Sequence, residues 1–317
     1  MNLPVSTADA GDKQSLAIAV NVAPEGATQS GPADHSPAIG IGQLGVAAAP
    51  GFLPPLSQTR LAVIDILEGA LAWRLWSSLG WQDIKQRYRR SKIGPFWVTI
   101  SMGVMIAGMG FLYADLFHTD VHSYLPYLAV GLIVWGLISP LVNENCNAFI
   151  DAEGIIKQVK LPLAVHVYRV IWRNLIIFSH NFIIFILVAV IFEIRPSWYD
   201  LMAIPGLLMI CINGVWVGLL WGVISARFRD VPQIVASVMQ IAFFMTPIMW
   251  YPTAVSGRTW FLKVNPFYYF MVLVREPLLG SHPSFHLWRW AIVITACGWT
   301  FAFLMYRICR RRIAYWL

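Results

Sequence analysis

Charged side chains are scarce in this sequence: 12% of its 317 residues are Asp, Glu, Lys or Arg, against roughly 25% in ordinary soluble domains. That shortage excludes a solvated surface over most of the chain. No G-x-x-x-x-G-K-[ST] loop occurs, nor any other device for cradling a phosphate on a helix N-terminus, so this chain is not expected to hydrolyse ATP. Also missing are a His-Glu-x-x-His pair and paired carboxylates at one face, which leaves no catalytic residue and no metal site to nominate. The four cysteines, Cys146, Cys211, Cys297 and Cys309, have no paired spacing and read as structural thiols rather than a disulfide framework.

What the sequence has instead is apolar length. Hydrophobic residues make up 58% of it and the mean hydropathy is +0.62. Six stretches carry no Asp, Glu, Lys or Arg: 96–114, 121–143, 174–192, 201–226, 231–257 and 290–306. Each is near the ~20 residues that cross a bilayer as a helix. Helices apolar on every side, repeated with short polar joints, exceed what a chain of this size could bury in water. The expected fold class is therefore all-α, a polytopic membrane protein with six transmembrane helices over 94–317. Residues 1–60 differ in kind: Ala, Gly, Pro and Ser dominate, Phe52 is the one aromatic, and two basic residues face four acidic ones. This composition predicts a disordered tail, and its apolar island Leu16–Ala23 is too short of flanking positive charge for a signal peptide. Without the tail, 21 basic and 12 acidic residues remain, a net +9.

Lys and Arg stay on the cytoplasmic side of short loops, so they orient the spans. Lys85, Arg87, Arg89, Arg90 and Lys92 precede the first span, whereas the joint after it (Asp115, His118, Asp120, His122) has no Lys or Arg. The second joint and its flank hold Lys157, Lys160, Arg169 and Arg173, the third only Arg195, the fourth Arg227 and Arg229, and the end of the chain Arg307 and Arg310 to Arg312. Both termini are expected in the cytoplasm. The fifth joint dissents mildly, with Arg258, Lys263, Arg275 and nearby Arg289.

Across 61–93 an amphipathic cytoplasmic interface helix is expected. Trp81, Ile84 and Tyr88 fall within about 60° on a helix, with Lys85, Arg87, Arg89 and Arg90 around the rest. Such a stripe suits acyl chains, with its basic arc toward headgroups or a docked protein; the plainer alternative is the basic flank that any polytopic protein carries. A nucleic-acid grip needs a soluble domain, which this chain lacks. Between spans two and three, Glu153 and Lys157 flank the apolar Ile155, Ile156 and Val159, which fits a short amphipathic helix ending at Pro162 or an ordinary structured loop. Arg229 and Asp230 stand just before Pro232, as the first turn of a helix requires. The fifth joint is rich in aromatics yet broken by Pro252, Pro266 and Pro277. Two short helices re-entering the outer leaflet, or an aromatic belt lying flat, would account for it. Phe243, Phe244, Trp250, Tyr251 and Trp260 offer a stacked track for the C–H faces of sugars if Pro247 merely bends the fifth span; interfacial anchoring is the competing reading. His180-Asn181, inside span three, is the best polar pair for a membrane sugar or acyl transferase, though a hydrogen bond to a neighbouring helix is the commoner use.

The motifs "DIKQRYRRSKIGPFW", "GIIKQVKLP", "RFRD", "TPIMWYP" and "NPFYYFMVLVREPLLG", in that order, resemble the membrane subunits of ABC transporters that export O-antigen, capsule or teichoic acid. The resemblance covers about 68–317 and leaves the tail unmatched. It implies a homodimer in the bacterial inner membrane, paired with a separate ATPase subunit that binds ATP and Mg. It further implies a polyprenyl-pyrophosphate-linked polysaccharide as cargo, membrane lipids as surroundings, and no nucleic acid. By the same resemblance the ATPase-coupling residues are Glu153, Ile155, Ile156, Lys157, Val159, Arg229 and Asp230, and the gate residues Pro266, Tyr268, Arg275 and Glu276. A permease for drugs or small lipids is the nearest alternative.

Overall fold

The computed structural model describes residues 57–89, 94, 96–254 and 260–317. Among these the chain is helical, and no strand occurs. Most of the expected disordered tail, together with Arg90 and Lys92, lies outside the described residues.

The region expected as one interface helix contains two, α1 (Gln58–Leu71) and α2 (Trp73–Tyr88), separated at Ala72, where ψ turns to 40°. The Ser57 hydroxyl caps α1 by accepting from the Arg60 N–H at 3.2 Å. There follow α3 (Phe96–Leu116), α4 (Val121–Cys146), the six-residue α5 (Glu153–Gln158), α6 (Ala164–Ile191) and α7 (Ala203–Arg227). Then come α8 (Val231–Met245), α9 (Trp260–Val264), α10 (Pro266–Leu278), α11 (Phe285–Cys309) and α12 (Ile313–Trp316).

Among the described residues, five helices are long and apolar enough to cross a membrane: α3, α4, α6, α7 and α11, the last two with their adjoining turns. In the stretch expected as a span over 231–257 the α-helix ends at Met245, after 15 residues, or about 22 Å at 1.5 Å per residue. Its end has a local cause. Thr246 precedes Pro247, the proline ring pushes its neighbour out of the α region, and Thr246 adopts ψ 136°.

The spans are unequal. In α4 83% of the apolar window is buried, against 17% in α3 and 11% in α11, so α4 is the central post and the other two present their apolar faces outward. Helices α3, α6, α7, α8 and α10 all pack on α4. Where α4, α6 and α7 converge, a Cβ on Gly218 would stand 2.5 Å from Val167 Cγ1 and 2.7 Å from Asn145 Oδ1, so only glycine allows the approach.

The joints gather at two ends. Glu153 meets Arg229 at 3.7 Å, and Arg310 reaches Asp65 of α1 at 2.6 Å, which unites the second and fourth joints, α1 and the end of α11. At the opposite end the His122 and Phe192 rings lie 5.3 Å apart, Tyr199 and His282 5.7 Å, and the Tyr251 hydroxyl donates to Ser123 O at 3.4 Å.

Candidate functional site

At the α5 end, carboxylates tie the helices together. Asp83 of α2 accepts from Arg169 of α6 through both its oxygens and from Arg173 at 2.8 Å. Burial raises the Asp83 pKa, but the hydrogen bonds and charges of Arg169 and Arg173 outweigh it and hold the carboxyl below its ordinary value. Arg173 also donates to Glu144 at 2.8 Å, as do Asn174 at 2.7 Å and Arg87 at 3.2 Å. Sequence reasoning missed Asp65, Asp83 and Glu144. For Asp65 the available signal was an acid isolated among apolar residues, in "LAVIDIL".

The interface-helix residues divide between protein and surroundings. Trp81 is 47% exposed with Lys85 Nζ 5.9 Å from its ring, Tyr88 is half-buried and Arg89 exposed. Ile84 is buried and shares a face with Gly80, whose Cβ would stand 3.1 Å from Arg169 O, so this face packs on α6. In α5 the Glu153 carboxylate accepts from Lys157 at 2.7 Å, which with nearby Arg229 lowers its pKa. Ile155 and Ile156 are half-buried, and Val159, already extended, is half exposed. Asp230 occupies the N-cap position of α8, with Pro232 in its first turn.

A cleft of about 470 Å³ opens between α4 and α8, lined by Trp135, Ser139, Asn143, Gln240, Phe243 and Phe244 among others. Toward the α5 end it carries amides and a hydroxyl: Asn143 donates to Ser139 Oγ at 3.2 Å and leaves its own buried Oδ1 without a partner among the described residues. Farther along it carries rings, with Phe243 5.8 Å from Trp135 and 5.3 Å from Phe244. The other aromatics expected on the track sit elsewhere. Trp250 and Trp260 flank Phe261 at 6.0 and 6.2 Å, and Tyr251 packs on Tyr127 at 4.3 Å. Because α8 stops at Met245, the helical spacing expected to align Phe244 with Trp250 does not apply; the indole N–H instead donates to Phe244 O at 3.2 Å.

Residues 246–251 form non-helical backbone in the interior, and its carbonyls find side-chain donors. The Tyr127 hydroxyl lies 3.1 Å from both Pro247 O and Trp250 O, and Arg275 donates to Pro247 O at 2.6 Å while its guanidinium rests 3.9 Å from the Tyr127 ring centre. Ile248 is wholly buried, its carbonyl so close to α4 that a Cβ on Gly131 would stand 2.9 Å away. Asn265 caps α10 by accepting from the Phe267 N–H at 2.9 Å and donates to Thr246 Oγ1 at 2.9 Å. Arg275 is thus at the centre of this assembly, Pro266 and Tyr268 are on the same helix facing partly outward, and Glu276 is half-buried. His180 contacts its own helix through Nδ1 and Ile176 O at 2.7 Å, and Asn181 is buried.

Residues 74–279 match the family described as ABC-2 type transporter. The chain is also 24% identical over 193 residues to the O-antigen export system permease protein RfbA of Myxococcus xanthus, covering 60% of this chain and 74% of that one.

Proposed function

Because this chain belongs to the ABC-2 type transporter family, we propose that it is the channel-forming subunit of an ATP-driven exporter that carries a lipid-linked polysaccharide from cytoplasm to periplasm. The observation that carries the reading is the cleft between α4 and α8, where Asn143, Ser139 and Gln240 lead into Trp135, Phe243 and Phe244. Amides and hydroxyls match the hydroxyls of a sugar chain, and ring faces match its C–H faces. A drug permease needs the rings but not the amide rung. The O-antigen export named for the Myxococcus xanthus relative favours the same cargo.

In this reading two copies of the chain form the channel in the inner membrane, and two copies of a separate ATPase bind ATP and Mg. The α5 end, with Arg229 and Asp230, faces the cytoplasm together with both termini; the gathering of the even joints at that end supports the assignment. A sixth crossing is made by α8 and the non-helical residues 246–251. The helix contributes about 22 Å of a core of ~30 Å, and the non-helical residues carry the chain on to Tyr251, whose hydroxyl meets Ser123 O at the opposite end. Helices α9 and α10 re-enter from the outer side as the gate, consistent with non-helical backbone tolerated where protein buries it.

The test is surface polysaccharide in cells carrying Phe243→Ala/Phe244→Ala. Export is expected to fall at least tenfold while the ATPase still copurifies with the chain. Wild-type export from a well-expressed double variant overturns the cleft as the passage.

A further inference from the structure

Asp65 is the most heavily hydrogen-bonded side chain among the described residues. Its carboxylate is 0% exposed. One oxygen accepts from the Ala164 N–H at 3.0 Å and the Tyr306 hydroxyl at 2.7 Å. The other accepts from the Leu163 N–H at 3.1 Å and from Arg310 Nε and Nη2 at 2.9 and 2.6 Å. An ionised carboxylate offers about four lone-pair sites, so its capacity is filled.

Two of those donors have a particular meaning. Leu163 and Ala164 are the N-cap and first residue of α6, whose N–H groups have no carbonyl of their own helix to meet, and a leucine side chain cannot cap them. Asp65 caps α6 from another helix and sets negative charge at its positive end. Around this cap α1 is pressed against α6: Tyr168 donates to Ile66 O at 3.3 Å, and a Cβ on Gly69 would stand 2.8 Å from Ala164 Cβ.

The capped residues follow directly on the linker from α5, where Val159 is extended and Pro162 forbids a continuous helix. The other partner, Arg310, begins a segment that runs to α12, which packs on both α5 and α7. Arg229 then closes the circuit, 3.7 Å from Glu153 and donating to Leu317 O at 3.4 Å.

We propose that Asp65 is a positioning residue for energy coupling: it pins the downstream end of the α5–α6 linker to the Arg310–Leu317 segment, so that displacement of α5 moves α6 instead of flexing the linker. The proposal rests on the reading of α5 as the ATPase contact. Asp65 is buried and would not touch the ATPase, so its loss is expected to uncouple the complex without dissolving it.

The experiment uses the full chain with its ATPase in lipid nanodiscs and in cells, with Asp65→Asn, Arg310→Gln, Tyr306→Phe and Asp65→Glu. ATPase copurification, ATP hydrolysis per complex and polysaccharide exported per complex are measured below the melting point of each variant. Asp65→Asn and Arg310→Gln should bind the ATPase and hydrolyse ATP within twofold of wild type while exporting at least tenfold less. The double variant should be no worse than either, and Asp65→Glu should recover part of the loss. If Asp65→Asn does not fold, Arg310→Gln and Tyr306→Phe carry the test. Export per complex equal to wild type in the folded variants overturns the proposal, as does loss of export only in proportion to lost complex. A wild-type chain that binds no ATPase overturns the coupling reading and this proposal with it.

Discussion

The two ends of the helical bundle are fastened by different chemistry. At the α5 end Asp65, Asp83 and Glu144 each collect several donors, and the bridges of these three acids join segments remote in the chain. At the opposite end a non-helical segment is held by the Tyr124 hydroxyl on Met249 O, the Tyr127 hydroxyl, and Arg275 lying on a ring face and a carbonyl. The first arrangement neutralises its charges within the protein and fixes helix against helix. The second keeps a cation and secures backbone through groups that could equally bond to water or to a sugar hydroxyl. In the proposed reading, one end transmits force and the other opens.

That contrast is open to direct attack. Arg173 serves both Asp83 and Glu144 and is 12% exposed. Arg173→Met leaves two part-buried carboxylates short of a partner, and stability should fall by about 3 kcal/mol, read from denaturant unfolding in detergent. At the other end Arg275→Met removes one charged donor from Pro247 O. A loss of about 2 kcal/mol is expected, accompanied by a local sign absent from Arg173→Met: a cysteine at Met249 should react faster with a thiol reagent. Equal reactivity of that cysteine in the two backgrounds would contradict the division of labour between the ends.

Much of the membrane domain was legible because length and missing charge are properties of the chain itself. The charge-free stretches 96–114, 121–143 and 201–226 became α3, α4 and α7 with shifts of a few residues. Span three, expected to begin at Asn174, belongs to a helix starting at Ala164, because Arg169 and Arg173 are accommodated by Asp83 and Glu144 rather than ending the helix. Pro247 was legible as an irregularity. Whether it bends a helix or terminates one depends on what can hold the freed carbonyls, and Tyr127 and Arg275 lie 120 and 28 residues away. The same limit hid the Asp65 partners: an acid in an apolar run announces that it must be paired, but choosing Arg310 among 23 basic residues needs the fold.

The smallest effect concerns pH and sharpens the contrast from the charged end. Asp83 lies in α2, outside the spans, and its folded pKa is depressed by Arg169 and Arg173 against the opposing effect of burial. A depressed carboxyl adds stability that is present above the unfolded pKa of about 3.9 and disappears as pH falls through the lower folded value. Asp83→Asn removes that contribution but keeps an oxygen able to accept from Arg169, so at pH 7 it should cost less than Arg173→Met. The gap between wild type and Asp83→Asn should be constant from pH 7 to 5 and close progressively below about pH 4. Arg275 makes no ion pair among the described residues and meets one carboxylate, Glu276, only through space, so the gap between wild type and Arg275→Met should narrow by less than the Asp83→Asn gap over the same range. Unfolding curves of the three proteins at half-unit pH steps decide it, and an Asp83→Asn gap that does not narrow at all between pH 5 and pH 3 would show that the arginines hold Asp83 by packing rather than by charge.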